Sequence, residues 1–440
     1  MKYERLGNQS LFKVVFKVII LGVLIWGVGF YLIQKNRNSF INYKYKLPNI
    51  KNEINSAEKI SDMQGLDRFL SENSNVQDLN DLAESLFNKF RSTNNTLYID
   101  RSLKVLDRSL RIQPQQNNTA TILKAKILES QHQFEEAIVL ATGALSGRTE
   151  TYDAYQVIIY SNLSLGQMAK AQAWADMYVQ KYPKTKSLSA RGLVLIESGR
   201  IDEGVFDLER AIKLEDLGEQ SDSAWVRCIL ARHFISVGRL KEADYLLNQA
   251  LSISENYALA LDLLGQIAAV NSDYKKAKIH FDTAFSVSKE LVYLIHSGDL
   301  ETAFGKTESA QSIYIVAESL ARNDLKNNSY GHRLDLVKIL LRKASKENLD
   351  EALVLLQEEE KIRSSTLVYQ AFSEVYAEKK NWPLALEYAQ RILRTGSQKP
   401  EHYLLLEKIY RNLGQADRGD LYMSLIVLPL DQAEVLKAFR

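Results

Sequence analysis

The chain has 440 residues, 46% of them apolar and 25% charged, with 6 prolines and 20 glycines. That composition excludes a low-complexity or disordered chain and fits a helix-rich folded one. The formal charge of +2 is too small to argue for a nucleic-acid partner, and no basic stripe interleaved with aromatic residues is present. A lone cysteine, Cys228, rules out an internal disulfide framework.

A short tail, residues 1–13, leads into Val14 to Ile33, which is apolar apart from Lys17 and long enough to cross a bilayer. This segment, 14–33, reads as a transmembrane anchor. Lys13 and Lys17 can reach the headgroups, and Trp26 and Tyr31 suit the interfaces. A cleaved signal fits less well, because Phe30, Tyr31, Leu32 and Ile33 follow where small residues are needed. Residues 34–80 are polar, broken by Pro48 and Gly65, and read as a spacer with short helices.

Beyond residue 80 a period of about 34 residues governs the chain. Ala137, Ala171, Gly204, Ala243, Ala277 and Ala310 recur at steps of 34, 33, 39, 34 and 33, and Ala352, Ala385 and Gly419 continue the series after a step of 42. Seven residues after the anchor stand Ala144, Ala211, Ala250, Ala284 and Ala317; twelve before it stand Ala125, Gly192, Ala231, Gly265 and Gly298. Small residues at three fixed places let the axes of two helices approach. Gly166, Gly199, Gly238, Gly305 and Gly414, five residues before their anchors, supply a turn that tolerates positive φ. Ile159, Tyr178, Leu340 and Glu359 depart from the pattern, so looser or shifted packing is expected there. Glu215 to Asp222 adds an acidic loop. Residues 323–331 break the register and separate a block at 81–322 from a second at 332–440 that ends in a capping helix.

These positions resemble the tetratricopeptide repeat family, with Leu264-Gly265, Gly238 to Ala243 and Tyr274 to Ala277 reading like its consensus and Pro114 and Pro183 at the closing position of two repeats. The resemblance implies an all-α chain of about eight or nine repeats: a right-handed α-solenoid of tetratricopeptide-type helix pairs, preceded by the N-terminal transmembrane helix. It also implies a non-enzymatic, membrane-tethered scaffold that binds protein partners in its concave groove, in envelope assembly, secretion or surface-polymer export. The alternative is an accessory subunit of a membrane enzyme such as a polysaccharide synthase or transferase. Lysine and arginine nearly tie on the two sides of the span, so orientation rests on resemblance. It places the repeats in the periplasm at a bacterial inner membrane, with a cytoplasmic repeat region as the alternative.

Carried over position by position, the family's groove would be lined by Asp153, Gln156 and Tyr160, then Lys186 and Ser189, then Trp225 and Arg232, then Asp262 and Gln266. Lys126 is the only match to the family's carboxylate-binding clamp, so acidic chaperone-type tails are not the expected ligand. Chemistry is otherwise quiet. No zinc-protease, P-loop, paired-cysteine or serine-elbow motif occurs, and the six histidines are scattered singly. No catalytic residue, cofactor or metal is expected, and no nucleic acid.

Overall fold

A computed structural model describes residues 66, 69–70, 75–93, 95–145, 152–215, 220–326 and 332–439. The chain divides into two compact units, Met1–Leu66 and Asp67–Arg440, and the second is the one described below. Every regular element among its described residues is a helix. They form ten consecutive pairs: α1 Val76–Thr93 and α2 Leu97–Ile112; α3 Asn118–Ser130 and α4 Phe134–Leu145; α5 Tyr152–Ser164 and α6 Met168–Lys181; α7 Thr185–Glu197 and α8 Ile201–Lys213; α9 Gln220–Ser236 and α10 Leu240–Ile253; α11 Ala258–Val270 and α12 Tyr274–Ser288; α13 Leu291–Ala303 and α14 Thr307–Lys326; α15 Arg333–Lys343 and α16 Lys346–Ile362; α17 Thr366–Glu378 and α18 Trp382–Arg394; α19 Pro400–Asn412 and α20 Ala416–Ser424. A single helix, α21 Leu430–Lys437, ends the series.

Local chemistry sets the helix boundaries. Asp273 and Ser345 accept backbone N–H bonds from Lys276 and Asn348 at 3.1 and 3.2 Å, satisfying donors that the first turn leaves free. Inside each pair the turn needs a left-handed residue. Gly166, Gly199, Gly238, Gly305 and Gly414 supply it with φ of 76°, 82°, 78°, 72° and 73°, as their spacing predicts. In four of the pairs that lack a glycine there, His132, Ser272, Ala344 and Lys380 adopt the left-handed conformation at φ of 59°, 58°, 49° and 58°.

The small first-helix positions are sockets. A Cβ on Gly265 would lie 2.7 Å from the ring of Phe281, and one on Gly298 would lie 2.5 Å from the ring of Tyr314. Both rings come from the second helix of the pair, four residues after its anchor. Burying a ring of that kind contributes about 2–3 kcal/mol, so a socket and its large side chain act together. The departures are filled rather than empty. Tyr178 is 1% exposed and stacks on Tyr155 at 4.9 Å, while buried Glu359 takes the Arg363 guanidinium at 2.6 Å. Residues 220–222, placed in a loop by sequence, begin α9 instead. Across residues 327–331 one apolar cluster contains Ala317 and Ala321 of α14 with Leu334, Val337 and Leu356 of the next pair.

Within this unit the solenoid closes on itself. The α5–α6 turn meets the segment before α17, where a Cβ on Gly166 would fall 2.2 Å from the Ser364 carbonyl oxygen. The α7–α8 turn meets the α18–α19 turn, where Gly199 and Gly396 approach through backbone alone. There Gln398 donates to the Gly199 carbonyl, 199 residues away, at 3.2 Å, and Lys399 pairs with Glu197 at 2.8 Å. Both contacts join turns eleven helices apart, so about five and a half pairs complete one turn of the superhelix.

The expected localisation is corrected here. Among the described residues no helix is long and apolar enough to cross a membrane. The longest, α14, has 20 residues but carries Glu308, Glu318, Arg322, Asp324 and Lys326. The proposed span at 14–33 lies outside the described residues, so the single-pass membrane protein read from sequence, with its repeats periplasmic or cytoplasmic, finds no support in the structure.

Candidate protein-binding face

The first helices of successive pairs line the inside of the superhelix, and the sequence-predicted residues fall on them in two groups. In the first group the charges form a ladder across four helices. Lys126 of α3 lies 2.5 Å from Asp153 of α5, Asp153 lies 3.7 Å from Lys186 of α7, and Lys186 lies 3.4 Å from Asp222 of α9. Burial pushes the Asp153 carboxyl up, but Lys126 and Lys186 outweigh it and hold the group below its ordinary value. All four side chains retain partial exposure, between 29% and 36%.

Beside the ladder Tyr160 of α5 meets Trp225 of α9 with ring centroids 5.9 Å apart. These helices are not neighbours; α7 runs between them, so the inner face is narrow enough for alternate pairs to touch. Ser189 of α7 is consequently buried, and its hydroxyl donates to the Lys186 carbonyl. Burial, together with the nearby Glu129 carboxylate, pushes the Tyr160 phenol above its usual range, while the Gln156 side chain opposes the shift. Glu129 itself is driven up to about 8 by burial, against the pull of Lys126. Sequence reading missed Glu129, although it occupies in α3 the register place that Leu163 occupies in α5. Extending the groove register one repeat towards the N-terminus would have found it.

The second group is covered. Asp262 and Gln266 of α11 are 3% and 2% exposed. Asp262 contacts His296 of α13 at 2.5 Å and accepts from Gln266 at 2.9 Å. Over them folds the end of the chain: the Phe439 ring stands edge-on to His296 at 5.8 Å and packs against Phe281 at 5.2 Å. Arg342 of α15 clamps this end by donating to the Ala438 carbonyl at 3.1 Å and to Asp299 of α13 at 3.0 and 3.1 Å. Leu428, Ala433 and Leu436 join the central core at 5%, 3% and 4% exposure.

Arg232 belongs to neither group. It lines a cavity of about 390 Å³ between α7 and α9 on one side and α17 and α19 on the other. Among the described residues no group of three or more His, Cys, Asp or Glu side chains is placed to hold a metal.

Stacked helix pairs, glycine turns, small-residue sockets and an inner face built from first helices decide the architecture. This is a tetratricopeptide-type helical solenoid. No family model matches the sequence, and no curated protein does. Solved solenoids of the same kind are similar in fold. A tetratricopeptide repeat protein from Parabacteroides merdae is 17% identical, with 56% of this chain and 92% of that one covered at a TM-score of 0.39. The Cut9 and Hcn1 hetero-tetramer of the APC/C gives 16% identity, 80% and 58% coverage and a TM-score of 0.44. The human IFIT1 dimer with PPP-AAAA gives 15%, 85% and 86%, and 0.48. At such values the likeness concerns the fold alone.

Proposed function

We propose that the chain is a non-enzymatic scaffold that holds a segment of a partner protein against the open part of its inner face, from α3 to α9. The observation that carries this reading is the chain's own end. A short helix and Phe439 after it already occupy the other part of the same face, held by apolar side chains and one arginine-to-carbonyl bond. The inner face thus has the chemistry of a surface that accepts peptide, and its open part offers an aromatic pair beside a neutralised charge ladder. Tyr160 and Trp225 would anchor an apolar side chain, while Asp153, Gln156 and Lys186 would orient the partner's backbone and charges.

A photoreactive side chain placed at Gln156 should crosslink to a defined partner, whereas the same group at Val139, 70% exposed on a second helix, should not. Trp225→Ala should lower the yield at Gln156 by about tenfold or more with helical content retained. Equal capture at both sites, or capture indifferent to Trp225, would move the binding surface off the inner face.

A further inference from the structure

The cavity at Arg232 calls for a ligand of its own. Its walls come from two successive turns of the superhelix: Leu193, Ile196 and Ile229 on one side, Leu367 and Val427 on the other. The box is thus largely apolar, yet it contains charge. Glu197 and Lys399 neutralise each other across it at 2.8 Å, and Glu401 in the lining is itself engaged. Burial, with Arg239 nearby, holds His233 below its ordinary value. Arg232 is different. It is half-buried and helps Lys399 hold the Glu197 carboxyl low, but Glu197 gives its close ion pair to Lys399, which leaves the Arg232 fork without a carboxylate of its own.

A guanidinium partly withdrawn from water loses hydration that only a matching anion restores well, and a carboxylate matches its fork geometry. The volume lies near the lower end of the roughly 300–1,000 Å³ typical of small-molecule sites. The residues after α20 border one end, where Leu425 and Val427 stand in the lining and stay largely exposed. A volume of that size suits a compact ligand. We propose that this cavity binds a small aliphatic monocarboxylate, its carboxylate on Arg232 and its chain among Leu193, Ile229 and Leu367. This activity is separate from protein binding, and it ties ligand occupancy to the contact between the two superhelical turns.

Octanoate and 1-octanol, titrated into the full chain by calorimetry or ligand-observed NMR, test it. Octanoate should bind saturably at one site, at least about tenfold more tightly than the alcohol, whose chain is the same but which cannot form the charged pair. Arg232→Gln should erase that preference and leave 1-octanol unaffected, and Arg232→Lys should keep part of it. Leu367→Trp, at a position 52% exposed and therefore tolerant of change, should weaken both ligands and so locate the site. The proposal is overturned if octanoate fails to saturate, if the acid and alcohol bind alike, or if Arg232→Gln changes nothing. An acetylated tetrapeptide ending in a free leucine carboxylate forms the last arm. Tighter binding of that peptide than of octanoate would reassign the cavity to protein termini.

Discussion

The inner face between α3 and α9 and the inner face between α11 and α15 are both built from the first helices of successive pairs and finish in opposite states. In the first, the polar groups satisfy one another across adjacent helices and stay partly wet: Lys126, Asp153, Lys186 and Asp222. In the second, Asp262, His296 and Asp299 are almost fully buried because the chain's own end lies over them. A repeat register therefore specifies which side chains point inward, but not whether they meet water, a partner or the same chain returning.

Two arginines sharpen the contrast. Arg342 holds Asp299 and the Ala438 carbonyl together, so Arg342→Ala leaves the buried Asp299 without its cation, with only the Tyr314 hydroxyl donating to it, and releases the segment at Ala438. Loss of one partner of such a pair costs about 3–5 kcal/mol, and chemical denaturation should show it. Arg232 acts on Glu197 only from a distance, since Lys399 holds that carboxylate, and its removal should shift the same midpoint far less. Equal losses for the two would mean that the chain end contributes nothing to the covered face.

The closure that brings these faces into one superhelix rests on backbone contact. At Gly199 an added Cβ meets the Gly396 carbonyl oxygen at 2.3 Å and φ is +82°; at Gly305 φ is +72° and nothing lies within 4 Å. Gly305→Ala should cost only the left-handed penalty, about 1 kcal/mol. Gly199→Ala should cost about 2–3 kcal/mol, since it also forces two turns apart. Similar thermal midpoints for the two variants would show that the turns need not touch.

Much of this architecture is legible in the sequence because it depends on spacing. The anchors from Ala137 to Gly419 locate the helix pairs, and the glycines five residues earlier mark the turns. What spacing does not reveal is which large side chain fills each socket, as Phe281 does at Gly265, because that pairing depends on volume rather than on position. Closure after eleven helices was equally hidden, since Gly396 and Ser364 carry no periodic signal and act only through residues far away in the chain. The candidate face was half legible for the same reason. Asp153, Gln156, Tyr160, Lys186, Trp225 and Arg232 keep partial exposure, whereas Ser189 is buried by tight curvature and Asp262 and Gln266 by the returning chain end.

The smallest effect is also the one that distinguishes the open face by pH. Glu129, up to about 8 through burial despite Lys126, keeps its proton in the folded chain at pH values where the unfolded chain has lost it. Its contribution is therefore complete below the ordinary glutamate value of 4.5 and is lost as pH rises towards 8, at up to about 1.4 kcal/mol per pH unit. Asp153 acts in the opposite sense: Lys126 and Lys186 hold it low, so its contribution is present at neutral pH and lost in acid, below the window in question. His332, raised by Asp335 and its neighbours against burial, also loses stabilisation as pH rises, so only the difference between Glu129→Gln and the parent isolates the glutamate. That difference should move by about 1 kcal/mol in favour of the glutamine variant between pH 6 and pH 7. A difference independent of pH would mean that water reaches Glu129 freely and that the open face is wetter than its packing implies.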